Sequence, residues 1–323
     1  MKPVVPIFLA LAFIASGCSQ NLSATLELPP QESTASPTIT QPATTAIPAI
    51  TDTSTPELPE TETITPAPSL TPSPTFDPAA WTALPVMPQL DERVKAIYQR
   101  GQELGNDPRA FSKIGDCGST PAWFLGDFDR GEKYYSLGDY QNLKDVIQAF
   151  QGSYGRTSLA AKSGFNASSI FAPIWADRAQ CLPNESPLAC EYRVHKPAFA
   201  FIMLGSNDVW HQEDFEPQLR KIIEFSIKNG VVPILSTKAD NLEGDNTINA
   251  TIARLAMEYG VPLWNYWQAV QPLQDAGLQE DQVHITWGPN RFDDPMVMKK
   301  GWPVRNLTAL QVLEAVWRFA SGS

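Results

Sequence analysis

A cysteine stands where an apolar run meets a turn. Ala110, Phe111 and Ile114 lead into Gly115-Asp116-Cys117, and Gly118-Ser119-Thr120 follow. An extended segment ending in a small residue, a carboxylate and a nucleophile can present that nucleophile at the mouth of an open sheet, outside the carboxyl ends of its strands. Acyl transfer through such a thiol requires a base within hydrogen-bond reach, a group that fixes the base's tautomer, and donors for the developing oxyanion. Three later turns hold residue types of that kind. They are a small-residue turn around Gly164, the run Gly205-Ser206-Asn207-Asp208, and the run Asp281-Gln282-Val283-His284.

The elements that must position these turns alternate. Residues 91–104 read as a helix with Val94, Ile97, Tyr98 and Leu104 on one face, and the strand into Gly115 follows. A Gly- and aromatic-rich insertion, 123–140, precedes a helix carrying Leu143, Val146, Ile147 and Phe150 at i, i+3, i+4 and i+7. Residues 157–161 read as a second strand and 198–204 as the clearest buried one. A helix with Phe215, Leu219, Ile222 and Ile223 in register closes at Asn229-Gly230. Strand 231–235 comes next, with Pro233 as a mark against it. A helix carrying Ile248, Ile252, Leu255 and Tyr259 stops at Gly260, 261–266 form a fifth strand, and a last helix turns Leu307, Leu310, Leu313 and Trp317 inward. This alternation implies an α/β fold, with a parallel sheet covered on both faces and its post-strand loops gathered at one edge. Residues 88–323 supply one such domain.

Taken in order, Gly115-Asp116-Cys117, Gly164, Gly205-Ser206-Asn207-Asp208 and Asp281-Gln282-Val283-His284 resemble the four blocks of the SGNH hydrolases, also called GDSL-type esterases and lipases. The resemblance implies a three-layer α/β/α sandwich with a flavodoxin-like sheet, here of five parallel strands. It implies hydrolysis of an acyl or acetyl ester through a covalent acyl-enzyme, with no cofactor and no metal. Cys117 would be the nucleophile, His284 the base, and Asp281 the acceptor of the other ring N–H. The side-chain amide of Asn207 and the backbone N–H groups of Gly164 and Cys117 would form the oxyanion hole. Neither remaining histidine has an acidic partner at the family spacing, so His195 reads as a surface residue and His211 as at most pocket-lining.

The family has serine where this chain has Cys117. A thiolate is the stronger nucleophile, and a neighbouring imidazolium lowers its pKa. Three readings follow, in descending order: Cys117 works, the domain is a degenerate binder of glycan or a surface partner, or Ser119 takes over from a less suitable direction. Aromatic residues in 123–140 and 287–302 either line an acceptor site or pack the sandwich. As a lining they suit acetylated sugars, and equally lipid or aryl esters. A solute-binding lipoprotein is a further class, but such receptors usually need two lobes and the chain has material for one.

Composition bounds the setting. Lys2 is followed by an apolar run too short to span a bilayer, then Ala15-Ser16-Gly17-Cys18. That ending resembles a bacterial lipobox, which implies a signal peptide over 1–17 and a lipid-modified Cys18 holding the protein to a membrane on the extracytoplasmic side. Residues 18–87 are rich in Pro, Thr and Ser, and glycine is absent from 18–100. They read as an extended, disordered stalk. A net charge of −11 argues against a nucleic-acid partner. The expected partners are a small-molecule or polysaccharide ester and the membrane, and the expected state is a monomer. Of 4 cysteines, Cys181 and Cys190 flank a short polar loop and are the favoured disulfide. Pairing of Cys117 with either would make it structural.

Overall fold

The computed structural model describes residues 80–322. The expected signal segment, Cys18 and the stalk up to residue 79 lie outside the described residues. The unit that carries the site is Phe76–Ser323. It takes in residues assigned above to the stalk. Trp81 is only 2% exposed and meets Trp267 edge-on at 4.9 Å, while the Asn265 amide donates to the carbonyls of Trp81 and Leu84. Trp81, Leu84, Val86 and Met87 supply the apolar surface that the preceding Pro/Thr-rich composition lacks, so the folded part begins before residue 88.

Helix α1 (Glu92–Glu103) starts at Asp91, whose carboxylate accepts from the Arg93 N–H at 2.8 Å. Strand β1 (Asp107–Gly115) follows, then the short β2 (Tyr135–Ser136), α2 (Lys144–Ala149) and α3 (Pro187–His195). The second half runs β3 (Pro197–Met203), α4 (Gln212–Lys228), β4 (Val232–Ser236), α5 (Thr247–Tyr259), β5 (Leu263–Trp264), α6 (Tyr266–Val270), β6 (Asn290–Arg291) and α7 (Gly301–Ser321). Helix α3 was not legible as an element above, where 181–190 reads as a loop. Ser186 caps it, with Pro187 at its first position.

The main sheet is parallel in the order β1-β3-β4-β5, with Phe111 opposite Phe199 and Ile114 opposite Ile202. Every residue of β3 is buried, as a strand covered on both faces must be. Helices α1 and α2 pack on α7, and α4 packs on α5, completing a three-layer α/β/α sandwich. The expected strand at 157–161 is reduced to one parallel bridge, Ala161 to Gly115, on the free edge of β1. Its backbone is spent elsewhere: Ala161 closes a turn onto Ser158, and the Leu159 N–H goes to the buried Glu191 carboxylate at 2.8 Å. With that segment counted, the order is the flavodoxin-like 2-1-3-4-5, and its direction reverses between β1 and β3. Pro233 does stand in β4, opposite Ala200, but β5 pairs only with Leu235 and Ser236, so the missing N–H falls where β4 has a single ladder neighbour.

Candidate active site

The turn after β1 is built around a close approach. A side chain at Gly115 would run into the Ser119 hydroxyl and the Met203 carbonyl, so only glycine lets the chain fold back there. Asp116 then caps a tight turn, Cys117–Ser119, by accepting from the Gly118 N–H at 2.8 Å, and Thr120 ties the Cys117 carbonyl at 2.7 Å. Cys117 is half-buried at this edge. The disulfide joins Cys181 and Cys190, so neither of them is cross-linked to Cys117. Ser119 is wholly buried behind the turn, which removes it as a substitute nucleophile.

Two further turns meet beside the first. Gly164 adopts φ +81° in the turn closed by the Phe165 N–H on the Lys162 carbonyl. Asn207 donates one amide hydrogen to the Phe165 carbonyl at 3.0 Å, which ties the turn after β3 to the Gly164 turn. Asp208, 3% exposed, adds a second tie by accepting from the Ala167 N–H at 2.8 Å. Burial pushes the Asp208 carboxyl up to about 6, helped by the Asp116 charge and opposed by the N–H groups of Ala167 and Gly205 and by His211. The second oxygen of Asp208 has no hydrogen-bond partner among the described residues.

The late turn carries Asp281 and His284. The ring Nδ1 of His284 lies 2.6 Å from one Asp281 oxygen, and the other oxygen accepts from the backbone N–H groups of Val283 and His284. Partial burial raises the Asp281 carboxyl, but the ring hydrogen bond and the two N–H groups outweigh it and bring it down to about 2. An ionised Asp281 fixes the tautomer that leaves Nε2 as the proton acceptor. Both side chains remain about half exposed, at 47% and 53%.

Trp302 links this turn to the first: its N–H donates to the Thr286 carbonyl at 3.0 Å, and its ring lies beside Gly118. Burial raises the Asp116 carboxyl, with Asp240 adding, and Arg305, the Gly118 N–H and His284 oppose it. Arg305, on α7, was not singled out from the sequence. It is 9% exposed, donates to the Gly118 carbonyl at 2.8 Å and contacts the Met203 sulfur, and its guanidinium lies over Phe124 and Trp302 at 4.7 and 5.1 Å. Its charge acts on both Asp116 and Cys117. The signal available beforehand was register: Arg305 shares the inward face of the last helix with Trp302 and Ala309.

The remaining histidines stand outside this arrangement. His195 is half-buried rather than on open surface, 3.7 Å from the buried Glu191 one helical turn earlier, and burial lowers its pKa. His211 is exposed at the start of α4, its N–H on the Asp208 carbonyl.

No protein-family model matches the chain, and no curated protein matches it. Among solved structures, it is similar to a GDSL-like lipase from Bacteroides thetaiotaomicron, at 14% identity over 69% of this chain and 98% of the lipase, with a TM-score of 0.39. It is also similar to a variant of an acetylxylan esterase from Geobacillus stearothermophilus, at 19% identity over 66% of this chain and 97% of the esterase, with a TM-score of 0.40. At these identities the likeness concerns the fold alone.

Proposed function

We propose that this protein is an SGNH-type ester hydrolase that works through a covalent acyl-enzyme on Cys117. The observation that carries the reading is the 2.6 Å contact of His284 with Asp281, on a turn tied through the Thr286 carbonyl to Trp302, whose ring lies beside Gly118. His284 Nε2 takes the Cys117 proton as the sulfur adds to the ester carbonyl. The second amide hydrogen of Asn207 and the N–H groups of Gly164 and Cys117 hold the resulting oxyanion, each worth about 3 kcal/mol in the transition state. The carbon–oxygen bond then breaks, and His284 returns the proton to the departing alcohol. Water, deprotonated by the same imidazole, attacks the thioester and releases the acid and the thiol. Asp208 and Asp116 hold the turns rather than react.

The setting belongs to the same reading. The lipobox-like Cys18 and the Pro-rich stretch after it support a cell-surface protein, anchored by lipid on the extracytoplasmic side and acting on small-molecule or polysaccharide esters.

The test is turnover of p-nitrophenyl acetate by the full chain and by Cys117→Ala, His284→Ala and Cys117→Ser. Loss of activity in the two alanine variants, with retained or raised turnover in the serine variant, is the expected pattern. Equal slow turnover in all four proteins refutes the reading and leaves a non-catalytic binding domain.

A further inference from the structure

Two segments without catalytic residues, 121–134 and 287–302, meet in one open cleft of about 380 Å³. The cleft adjoins the nucleophile turn through Trp302. The Trp302 ring lies 3.8 Å from where a side chain on Gly118 would start, and Trp287 follows His284 by three residues. Trp302 stacks on Trp123, ring centres 5.6 Å apart and planes 24° from parallel. Trp287, 65% exposed, lines the cleft with its indole largely in solvent.

The floor is polar and already ordered. Asn306 accepts from the Leu125 N–H at 3.2 Å and donates to Asn290 at 2.9 Å, and Asn290 donates to Asp127 at 3.0 Å. Leu125 is held there at φ +62°, a conformation that costs a non-glycine residue energy and recurs at binding sites. Around this floor stand Arg130, Lys133 and Arg291. Asp127 is the single acidic residue in the lining, and its two oxygens are engaged by Arg130 and Asn290. In a chain of net charge −11, a lining of three cations and one carboxylate runs against the overall trend; Arg291 pairs with Asp293 at 3.3 Å, and Lys133 pairs with no carboxylate among the described residues.

These groups select among the ester classes. Exposed indole faces take the C–H face of a pyranose ring, and the cations take an anionic substituent. An acyl tail would desolvate the exposed Lys133 and Arg291 without replacing their hydration. A neutral glycan would leave Lys133 without an anionic partner. We propose that this cleft is an acceptor subsite for a sugar bearing a carboxylate, a hexuronic acid unit joined to the esterified one. The proposal rests on the hydrolase reading above and names the substrate class of that same site.

Binding is read separately from catalysis, by tryptophan fluorescence of the full chain titrated with trigalacturonate and, in parallel, with the neutral galactotriose. The acidic trimer is expected to bind about tenfold more tightly at low salt, and the difference to shrink as salt is raised. Lys133→Gln combined with Arg291→Gln, both at exposed positions, should weaken the acidic trimer about tenfold and leave the neutral one unchanged. Trp287→Ala should weaken both. Equal affinity for the two trimers, binding of neither, or a preference that survives the charge substitutions would overturn the proposal. Turnover of p-nitrophenyl acetate by the unaltered chain separates the two readings. Preference without turnover removes the hydrolase and keeps an acidic-sugar site, whereas turnover without preference does the reverse.

Discussion

Asp281→Asn isolates what the carboxylate contributes to the base. In the folded protein Asp281 is brought from 3.8 to about 2, despite the opposing effect of burial, chiefly by the His284 ring and two backbone N–H groups. Taken at face value that is ~2.4 kcal/mol in favour of the ionised carboxylate. Both partners are about half exposed, so solvent screening leaves ~1 kcal/mol. The sign follows from the direction: a depressed carboxyl contributes its stability fully above about pH 3.8 and loses it as pH falls towards 2. Between pH 5 and 9 the variant should therefore be destabilised by about 1 kcal/mol at most, independent of pH. The catalytic cost is larger, because an amide can donate or accept and no longer enforces the tautomer with Nε2 as acceptor. A buried aspartate in this role is worth ~10⁴-fold in rate; one open to water should be worth about a hundredfold, ~2.7 kcal/mol. The assay is kcat/KM for p-nitrophenyl acetate from pH 5 to 9, with thermal midpoints measured on the same samples. A variant within threefold of the unaltered chain throughout that range would refute the role given to Asp281.

Lys113 is wholly buried, donates to the Tyr154 carbonyl at 2.6 Å, and is lowered to about 7 by burial, with Arg156 adding and Asp129 and Glu191 opposing. The unfolded chain then binds more protons between pH 7 and about 10.5, so stability should rise with pH through that window. Lys113→Met should flatten that rise, on the order of 5 °C in thermal midpoint between pH 7 and 9.5, and an unchanged slope would contradict it. Replacing Cys181 and Cys190 together by serine opens a loop with a sequence separation of 9, and chain entropy sets the expected loss at about 3 kcal/mol in denaturant unfolding. A loss below ~1 kcal/mol would mean that α3 is held by its own packing alone.

Much of the scaffold was legible because its signals are local. The apolar runs that became β1 and β3, and the 3.6-residue stripes of α4 and α5, depend on neighbours within a few positions, and the structure keeps them nearly where they were read. Two of the misreadings share one cause. The segment 157–161 has a strand's composition, but the Glu191 carboxylate, 32 residues from Leu159, claims its backbone N–H. Residues 80–87 look like a continuation of the Pro-rich stretch until Trp81 finds Trp267. Helix α3 was missed despite a local signal, the Ser-Pro start, because two cysteines and two prolines suggested a stapled loop.

The motifs alone determined which side chains could do chemistry and roughly in what order the chain brings them to one edge. Residue type and spacing carry that information. Only the tertiary structure decided that Ser119 is sealed behind the turn, that Arg305 comes beneath Gly118 from 187 positions away, and that segments 121–134 and 287–302 close on one cleft. Desolvation of a charge and the shape of a cavity depend on what the rest of the chain places around a residue, and no local pattern encodes that.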